Sequence, residues 1–493
     1  MKATVQRCEL APGFGVSRVL TGLWQIADME RDGAVLDLGA AATAMMSYVD
    51  AGFTTFDMAD HYGSAEEIAG LYLRQHGAGG AVQMLTKWVP KPGPVTQEDV
   101  RAAVQRSLDR MQTDRLDLLQ FHAWTFADPI WLDCLFWLQE LKEQGLIRHL
   151  GLTNFDTAHL RIVLHSGFDI VSNQVCFSLL DQRPKESMSE LCLQHGIKLL
   201  AFGTVAGGFL TERWLGKPEP DWGALDTWSQ MKYGRFINVA GGWDRFQALL
   251  RTVDGVARRH GVSMANIATR YILEQPAVGG VIIGARLGKS EHIQDNLRLF
   301  QFSLDGASRS AIDDALAELR PIPGDSGDEY RKAPFLTASG DLSDHLESIP
   351  PPYAAQTGAD GRSTVLSGTP WEEIAGYCRA LRYGERILVS GTTSTHYDRT
   401  IGGTDAAAQL HFVIDKIEGA LQSLGGRLED VVRTRLYVRN LSDWEAVARV
   451  HGMRFRDILP ANTLVQAQLV GDEYLVEMEA EAVVMGSRAA GNS

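Results

Sequence analysis

From Arg18 to about Phe302, short apolar runs alternate with longer stretches of helical spacing, the rhythm expected when parallel strands are joined by helices. The runs read as strands are Val19–Leu23, Thr54–Asp57, Val82–Lys87, Leu116–His122, Ile147–Thr153, Ile170–Val175, Lys198–Phe202 and Gly280–Gly284. They are nearly continuous rather than alternating, as parallel strands buried on both faces should be. Eight of them match a closed barrel. Between them, Asp99–Met111, Ile130–Gln144 and Ser187–His195 have helical spacing, and Thr96-Gln97-Glu98 supplies a capped start for the first.

The pattern changes after Arg320. Pro321, Pro323, Gly324 and Gly327 open a stretch that runs to Ile349-Pro350-Pro351-Pro352, which divides the chain into a domain 1–320, a linker 321–350 and a domain 351–493. In the last part the predicted elements are strands Gly376–Leu381 and Arg386–Gly391, a helix Thr404–Leu424, a strand Val431–Val438, a helix Asp443–Ile458, and strands Thr463–Leu469 and Tyr474–Val484. That order is a compact α+β unit with no second barrel. Within the first domain, the insertion from Arg213 to Trp243 carries Trp214, Trp222 and Trp228 and exceeds an ordinary connection. It is expected to cover a site or to pack against the second domain.

Ionisable residues leave successive strand ends. Asp57 and Tyr62 follow the second run, Lys87 ends the third and His122 ends the fourth. A phenol with an ordinary pKa of about 10 does not readily give up a proton at neutral pH unless something stabilises the phenolate. Lys87 is expected to lower the pKa of Tyr62, Asp57 to hold Lys87 charged and oriented, and neutral His122 to donate a hydrogen bond to a substrate oxygen. Such a set suits protonating an oxygen as it gains charge. Any one of the four alone is more often an ordinary strand-end polar residue, but four in order favour a site. Trp24, Trp88 and Trp124, each in or just after a strand end, are expected to wall an apolar pocket, with simple packing as the alternative for each.

The segments FDMADHYG, LTKW and LLQFHAW, in this order and spacing, resemble the aldo-keto reductases, and the resemblance runs from about Val19 to Arg320. It implies a (β/α)8 TIM barrel and hydride transfer between a nicotinamide and a carbonyl, with Tyr62 as acid and Asp57, Lys87 and His122 assisting. Thr153, Asn154 and Gln174 resemble the family's carboxamide-binding positions. Phe202 matches the aromatic that stacks on the nicotinamide, and the glycine-rich run from Gly203 resembles a strap over a pyrophosphate. Gly284, Arg286, Asp295 and Asn296 resemble the adenosine site, where Arg286 would bind a ribose 2′-phosphate and imply NADPH, with NADH as an alternative because His292 replaces a second arginine. No G-x-G-x-x-G opens an N-terminal βαβ unit, so a Rossmann dehydrogenase is not supported.

Trp371-Glu372, Gly376-Tyr377-Cys378-Arg379-Ala380, Ile387-Leu388-Val389-Ser390-Gly391, Val431-Val432-Arg433-Thr434-Arg435 and Val476-Glu477-Met478-Glu479-Ala480 resemble the Rid family of reactive-intermediate deaminases, also called YjgF-like. The match, from about Pro350 to Met485, implies a chorismate-mutase-like fold, a homotrimer and ligand clefts between subunits. Active members carry an arginine directly after a Pro-Ala pair to bind an imino-acid carboxylate. Here Asn462 follows Pro460-Ala461, and an amide cannot supply that charge-assisted pair.

Composition adds limits. A length of 493 residues calls for two or three domains. A net charge of −14 without a long basic run argues against nucleic acid or an anionic membrane as the main partner and favours a small molecule, which the resemblance to the aldo-keto reductases implies is a carbonyl substrate. Cys8, Cys134, Cys176, Cys192 and Cys378 are scattered and suggest neither a disulfide framework nor a metal site, which fits a cytoplasmic protein. Met1 to Arg18 contains no apolar core of signal-peptide length, and no stretch is long enough to span a bilayer. The expectation is an NAD(P)H-dependent aldehyde or ketone reductase. The alternatives are a nicotinamide-binding redox sensor and a bifunctional reductase with an imine deaminase.

Overall fold

The computed structural model describes residues 4–77, 82–290, 292–342, 346 and 348–485. It divides into two compact units, one of residues 1–124, 134–157 and 169–347, the other of residues 125–133, 158–168 and 348–493.

In the first unit a hairpin of β1 (Arg7–Ala11) and β2 (Phe14–Ser17) precedes the barrel. The barrel strands are β3 (Val19–Gly22), β4 (Thr55–Asp57), β5 (Gln83–Trp88), β6 (Leu116–Phe121), β7 (Ile147–Thr153), β8 (Ile170–Cys176), β9 (Lys198–Phe202) and β10 (Val278–Gly284). All pair in parallel, and β10 closes on β3. This is the (β/α)8 barrel that the apolar rhythm predicts. β5 and β8 are buried at every position, which is why their sequences show no polar alternation. At the end remote from the strand C-termini, Leu10, Phe14 and Val16 of the hairpin pack on Leu20, Leu85, Leu118 and Leu200 and fill the barrel floor. Sequence periodicity gave no sign of this hairpin.

The helix Gln97–Met111 starts at Thr96, whose hydroxyl accepts from Asp99 N at 3.2 Å while Asp99 accepts from Thr96 N at 2.9 Å. Such a reciprocal cap contributes about 1 kcal/mol.

The stretch expected as a linker, 321–350, has only short helical turns at Asp328–Tyr330 and Ser339–Asp341, and its residues 343–345 and 347 lie outside the described residues. Yet Tyr330, Leu336 and Ala338 are buried. Arg331 Nε donates to the Ala123 carbonyl at 2.8 Å and Nη1 to that of Asn154 at 2.7 Å, while Arg183 Nη2 donates to Glu329 at 2.8 Å. Proline and glycine content signals irregular backbone, which is correct here, but says nothing of whether that backbone is packed.

The second unit contains a seven-stranded sheet of β11 (Ala355–Thr357), β12 (Ser363–Val365), β13 (Ala380–Tyr383), β14 (Arg386–Thr392), β17 (Val431–Val438), β18 (Ala461–Gln466) and β19 (Val476–Val483). Its order is β11-β12-β13-β14-β19-β17-β18, and β15 (Thr395–His396) with β16 (Arg399–Thr400) forms a separate hairpin. Helices Ala406–Ser423 and Trp444–Phe455 contribute Leu410, Ile414, Val447 and Phe455 to a core against Ile387, Leu436 and Met478. The α+β expectation holds, with two corrections. The first expected strand begins at Ala380 rather than Gly376, because Gly376 at φ 66° ends a short helix Pro370–Ala375. The strands β11 and β12 also went unpredicted, since β11 is wholly exposed and carries no apolar pattern.

Candidate active site

The strand C-termini open into a cavity of about 620 Å³, within the range of small-molecule sites. Alternation along the strands decides which side chains face inward. Asp57 of β4, Lys87 of β5, Gln120 of β6 and Gln174 of β8 meet on the barrel axis. Lys87 Nζ donates to Asp57 Oδ2 at 2.7 Å and to the Met58 carbonyl at 2.9 Å. Asp57 Oδ1 accepts from Gln174 Nε2 at 2.7 Å and Gln120 Nε2 at 3.1 Å, and Gln174 Nε2 also reaches Gln120 Oε1 at 2.9 Å. A buried carboxylate is tolerated only with such a set of donors.

Tyr62 lies in the loop above, its ring centroid 4.8 Å from Lys87 Nζ and 4.9 Å from that of Trp24 in an edge contact. Burial, reinforced by the negative charge of Asp57, holds its phenol well above the ordinary value. This corrects the expectation that Lys87 lowers it: the ammonium is already neutralised by Asp57, and desolvation of the phenolate prevails. Burial likewise lowers the Lys87 ammonium against the opposing pull of Asp57. His122 is pushed well below 6.5, first by burial and then by the charge of Arg331, so it is neutral. Neither of its ring nitrogens has a well-formed hydrogen-bond partner, and the Thr153 backbone only weakly favours the charged form.

Trp24, Trp124, Asp57, Tyr62, Lys87 and His122 all line the cavity, and so do Thr153, Asn154, Gln174, Phe202, Gly203, Gly284, Arg286, Asp295 and Asn296. Trp88 does not. It is buried with its ring 5.4 Å from Phe121, since the residue after inward-facing Lys87 must face the other side of the strand. Asn154 adopts φ 58°, a left-handed conformation that asparagine tolerates, and its buried Oδ1 lacks a well-formed partner. Gly203, at φ 79°, leaves room for the Tyr233 hydroxyl, which a Cβ there would meet at 2.2 Å. Asp295 accepts from Ser263 at 2.8 Å and Asn266 at 2.9 Å. Arg286 Nη2 lies 3.3 Å from Asp28 Oδ2.

Sequence reasoning missed Gln120, whose neutral amide sits unremarked in an apolar run. It also missed Lys232 and Tyr233 of the helix Trp228–Val239, and Tyr330 and Asp341 of the following segment, all cavity-lining. The tryptophan-rich insertion was the available signal for the first pair, and Thr227, Trp228 and Ser229 line the cavity with them.

The family model for aldo/keto reductases matches residues 18–317. The chain belongs to the aldo/keto reductase family. A second model, described as Endoribonuclease L-PSP, matches residues 369–484. The uncharacterized oxidoreductase YqkF of Bacillus subtilis is 30% identical over 53% of this chain and 84% of its own length. An uncharacterized protein of Streptomyces coelicolor is 35% identical over 24% of this chain and 89% of its own. The solved glycerol dehydrogenase of Gluconobacter oxydans shares the fold, with a TM-score of 0.53 at 23% identity, covering 66% of this chain and 98% of that one.

As an aldo/keto reductase the chain is an oxidoreductase of a family whose members typically use nicotinamide cofactors. Its residues fit such a group. Buried polar atoms without partners are rare, and His122 and Asn154 Oδ1 both border this cavity, where a carbonyl oxygen and a carboxamide amine would satisfy them. Among the described residues no helix is long and apolar enough to cross a membrane.

The two shifted pKa values set a pH window. A raised phenol keeps its proton above the ordinary value of about 10, and a lowered imidazole stays neutral below the ordinary 6.5. In ultraviolet difference titration against Tyr62→Phe, no phenolate from Tyr62 should appear below about pH 10, and the histidine carbon resonances of His122 should not shift between about pH 6 and 8. Titration of either group inside its window would contradict the electrostatics described.

Proposed function

We propose that the chain is a cytoplasmic NAD(P)H-dependent reductase of a small aldehyde or ketone, reversible in principle, with Tyr62 as general acid. The observation that carries this reading is a neutral phenol and an unpartnered neutral imidazole bordering one cavity, above the buried Asp57–Lys87 pair. The five cysteines, all free, support the compartment.

When bound, the nicotinamide supplies a hydride to the carbonyl carbon. His122 donates a hydrogen bond to the carbonyl oxygen, and Tyr62 hands that oxygen its proton as negative charge develops there. Lys87 lies beside the Tyr62 ring and Asp57 keeps Lys87 in place, so the pair positions the phenol rather than lowering its pKa. Thr153, Asn154 and Gln174 hold the carboxamide, Phe202 offers a flat face to the ring, and the backbone from Gly203 runs along the pyrophosphate. Gly284, Arg286, Asp295 and Asn296 take the adenosine end. Trp24 and Trp124 border the substrate and exclude water.

Tyr62→Phe is expected to lower kcat for carbonyl reduction by ~10²–10⁴-fold with NADPH affinity nearly unchanged, because it removes one proton donor and little else. Near-normal turnover of that variant, measured by loss of nicotinamide absorbance, would falsify the mechanism.

NADPH is the preferred cofactor, on the strength of the Arg286 guanidinium at the phosphate end. Asp28 beside it lessens the preference, since a phosphate must share that guanidinium with a carboxylate. Arg286→Ala should weaken NADPH binding by roughly tenfold, the size of one charge-assisted contact, and leave NADH within about twofold. Equal dissociation constants for both cofactors in the unmutated protein, from fluorescence titration, would sink the assignment.

The second unit assembles the chain into a trimer and does not hydrolyse imino acids at a useful rate. Among the described residues the helices that pack on its sheet lie on one face, while Leu388 and Val465 are exposed on the other. Asn462 Nδ2 donates to Thr434 Oγ1 at 2.8 Å, and Arg435 lies 3.3 Å from Glu479 and 3.4 Å from Glu481, so neither is free to clamp a carboxylate; Arg433, exposed on the same strand, is the remaining alternative clamp. Light scattering should give three chains; a monomer defeats the assembly, and rapid hydrolysis of an enzymatically generated imine defeats the silent site.

A further inference from the structure

The cavity holds a second tyrosine, lysine and carboxylate that the mechanism does not use. Lys232 Nζ donates to the Tyr330 hydroxyl at 2.5 Å and lies 3.5 Å from Asp341 Oδ2. It also stands 5.1 Å from the centre of the Phe202 ring. The Tyr330 ring meets that of His122 edge-on, with centroids 5.6 Å apart. Lys232 and Tyr330 are each 6% exposed, and both border the cavity together with Asp341. Tyr330 and Asp341 lie beyond residue 317, where the family match ends.

An ammonium has only donors, so in its bond with Lys232 the Tyr330 oxygen is the acceptor. The Asn154 side chain is a second hydrogen-bonding partner of Tyr330 within the chain, and a substrate hydroxyl would compete with it for the Tyr330 proton. Burial and the Asp341 charge keep that phenol protonated well past its ordinary value. Burial alone would strip the proton from Lys232, but Asp341 in particular restores and raises its pKa, so the pair is ionised and nearly neutral overall. One side of the cavity thus presents a phenol donor close to a carboxylate acceptor.

We propose that Tyr330, held by Lys232 and Asp341, is a second oxygen-binding group of the substrate pocket, and that it selects carbonyl compounds bearing a hydroxyl group near the carbonyl that is reduced. This rests on the reductase reading with Tyr62 as acid. A hydroxyl accepts from Tyr330 and donates to Asp341, satisfying both. A carboxylate or phosphate on the substrate would meet the Asp341 charge, and an alkyl group would forgo the bonds to Tyr330 and Asp341, leaving them only their partners within the chain, Lys232 and the Ala338 amide among them. Sites built to bond a substrate hydroxyl discriminate strongly against analogues without one.

The test compares the unmutated full chain with Tyr330→Phe and Asp341→Asn, using NADPH and two matched pairs: hydroxyacetone against butanone, and glyceraldehyde against 2-methylbutanal. In the unmutated protein the hydroxylated member should have at least ~10-fold higher kcat/KM. Tyr330→Phe should reduce that ratio about tenfold, chiefly by raising KM for the hydroxylated member, and leave the alkyl member within about threefold. Asp341→Asn keeps the size of the side chain and should likewise erode the ratio, so the proposal stays testable if Tyr330→Phe fails to fold. Equal kcat/KM within each pair, or a Tyr330→Phe loss that falls equally on both members, overturns the hydroxyl site while leaving the reductase reading intact. If none of the four carbonyls is reduced, the reductase reading fails and the hydroxyl site falls with it.

Discussion

The first unit depends on one buried ion pair. Lys87 is almost fully enclosed, and an ammonium there would be untenable without Asp57 at 2.7 Å. Asp57 in turn needs further donors and receives them from Gln120 and Gln174, so a single carboxylate joins β4, β5, β6 and β8 across the barrel axis. Burial first, and the negative charge of Asp57 second, decide the state of Tyr62: the phenol stays neutral until an oxygen near it becomes basic, which is the property required of an acid that must not release its proton early.

Much of the barrel and of its chemistry was legible because both are written as exceptions to an apolar background. Strands buried on two faces appear as unbroken apolar runs, and Asp57, Lys87 and His122 stand out as ionisable residues closing such runs. The same logic explains the failures. Gln120 is neutral and sits within Leu118-Leu119-Gln120-Phe121, where nothing marks it as catalytic support. Trp88 sits at a strand end, which suggests the pocket, although strand parity with Lys87 assigns it to the outer face. The pKa of Tyr62 was misjudged because proximity to a cation can be read from a sequence, while desolvation and cancellation of that cation's charge depend on packing.

The irregular segment after the barrel was the least legible part of the site. Its contacts are long in sequence: Arg331 reaches Ala123 and Asn154, and Glu329 reaches Arg183. Such contacts leave no local periodicity. By holding the carbonyls next to His122 and at Asn154, Arg331 fixes the ends of β6 and β7, so the segment supports the residues it faces as well as adding Tyr330 to the cavity wall.

In the second unit the information runs the other way, from a strict local pattern to a distant consequence. β19 alternates without exception, with Val476, Met478, Ala480 and Ala482 facing the helices and Glu477, Glu479 and Glu481 facing away. A slip of one residue would drive the three glutamates into the apolar core, so the register is strongly held. That register fixes the opposite face as firmly as the core. It sets Arg435 across from Glu479, and Leu388 across from Glu481. On that face Arg435 and Arg386 are held by Glu479 and Glu481 within the chain, so the register that builds the core also fixes which charges of the exposed face are already paired beside Leu388.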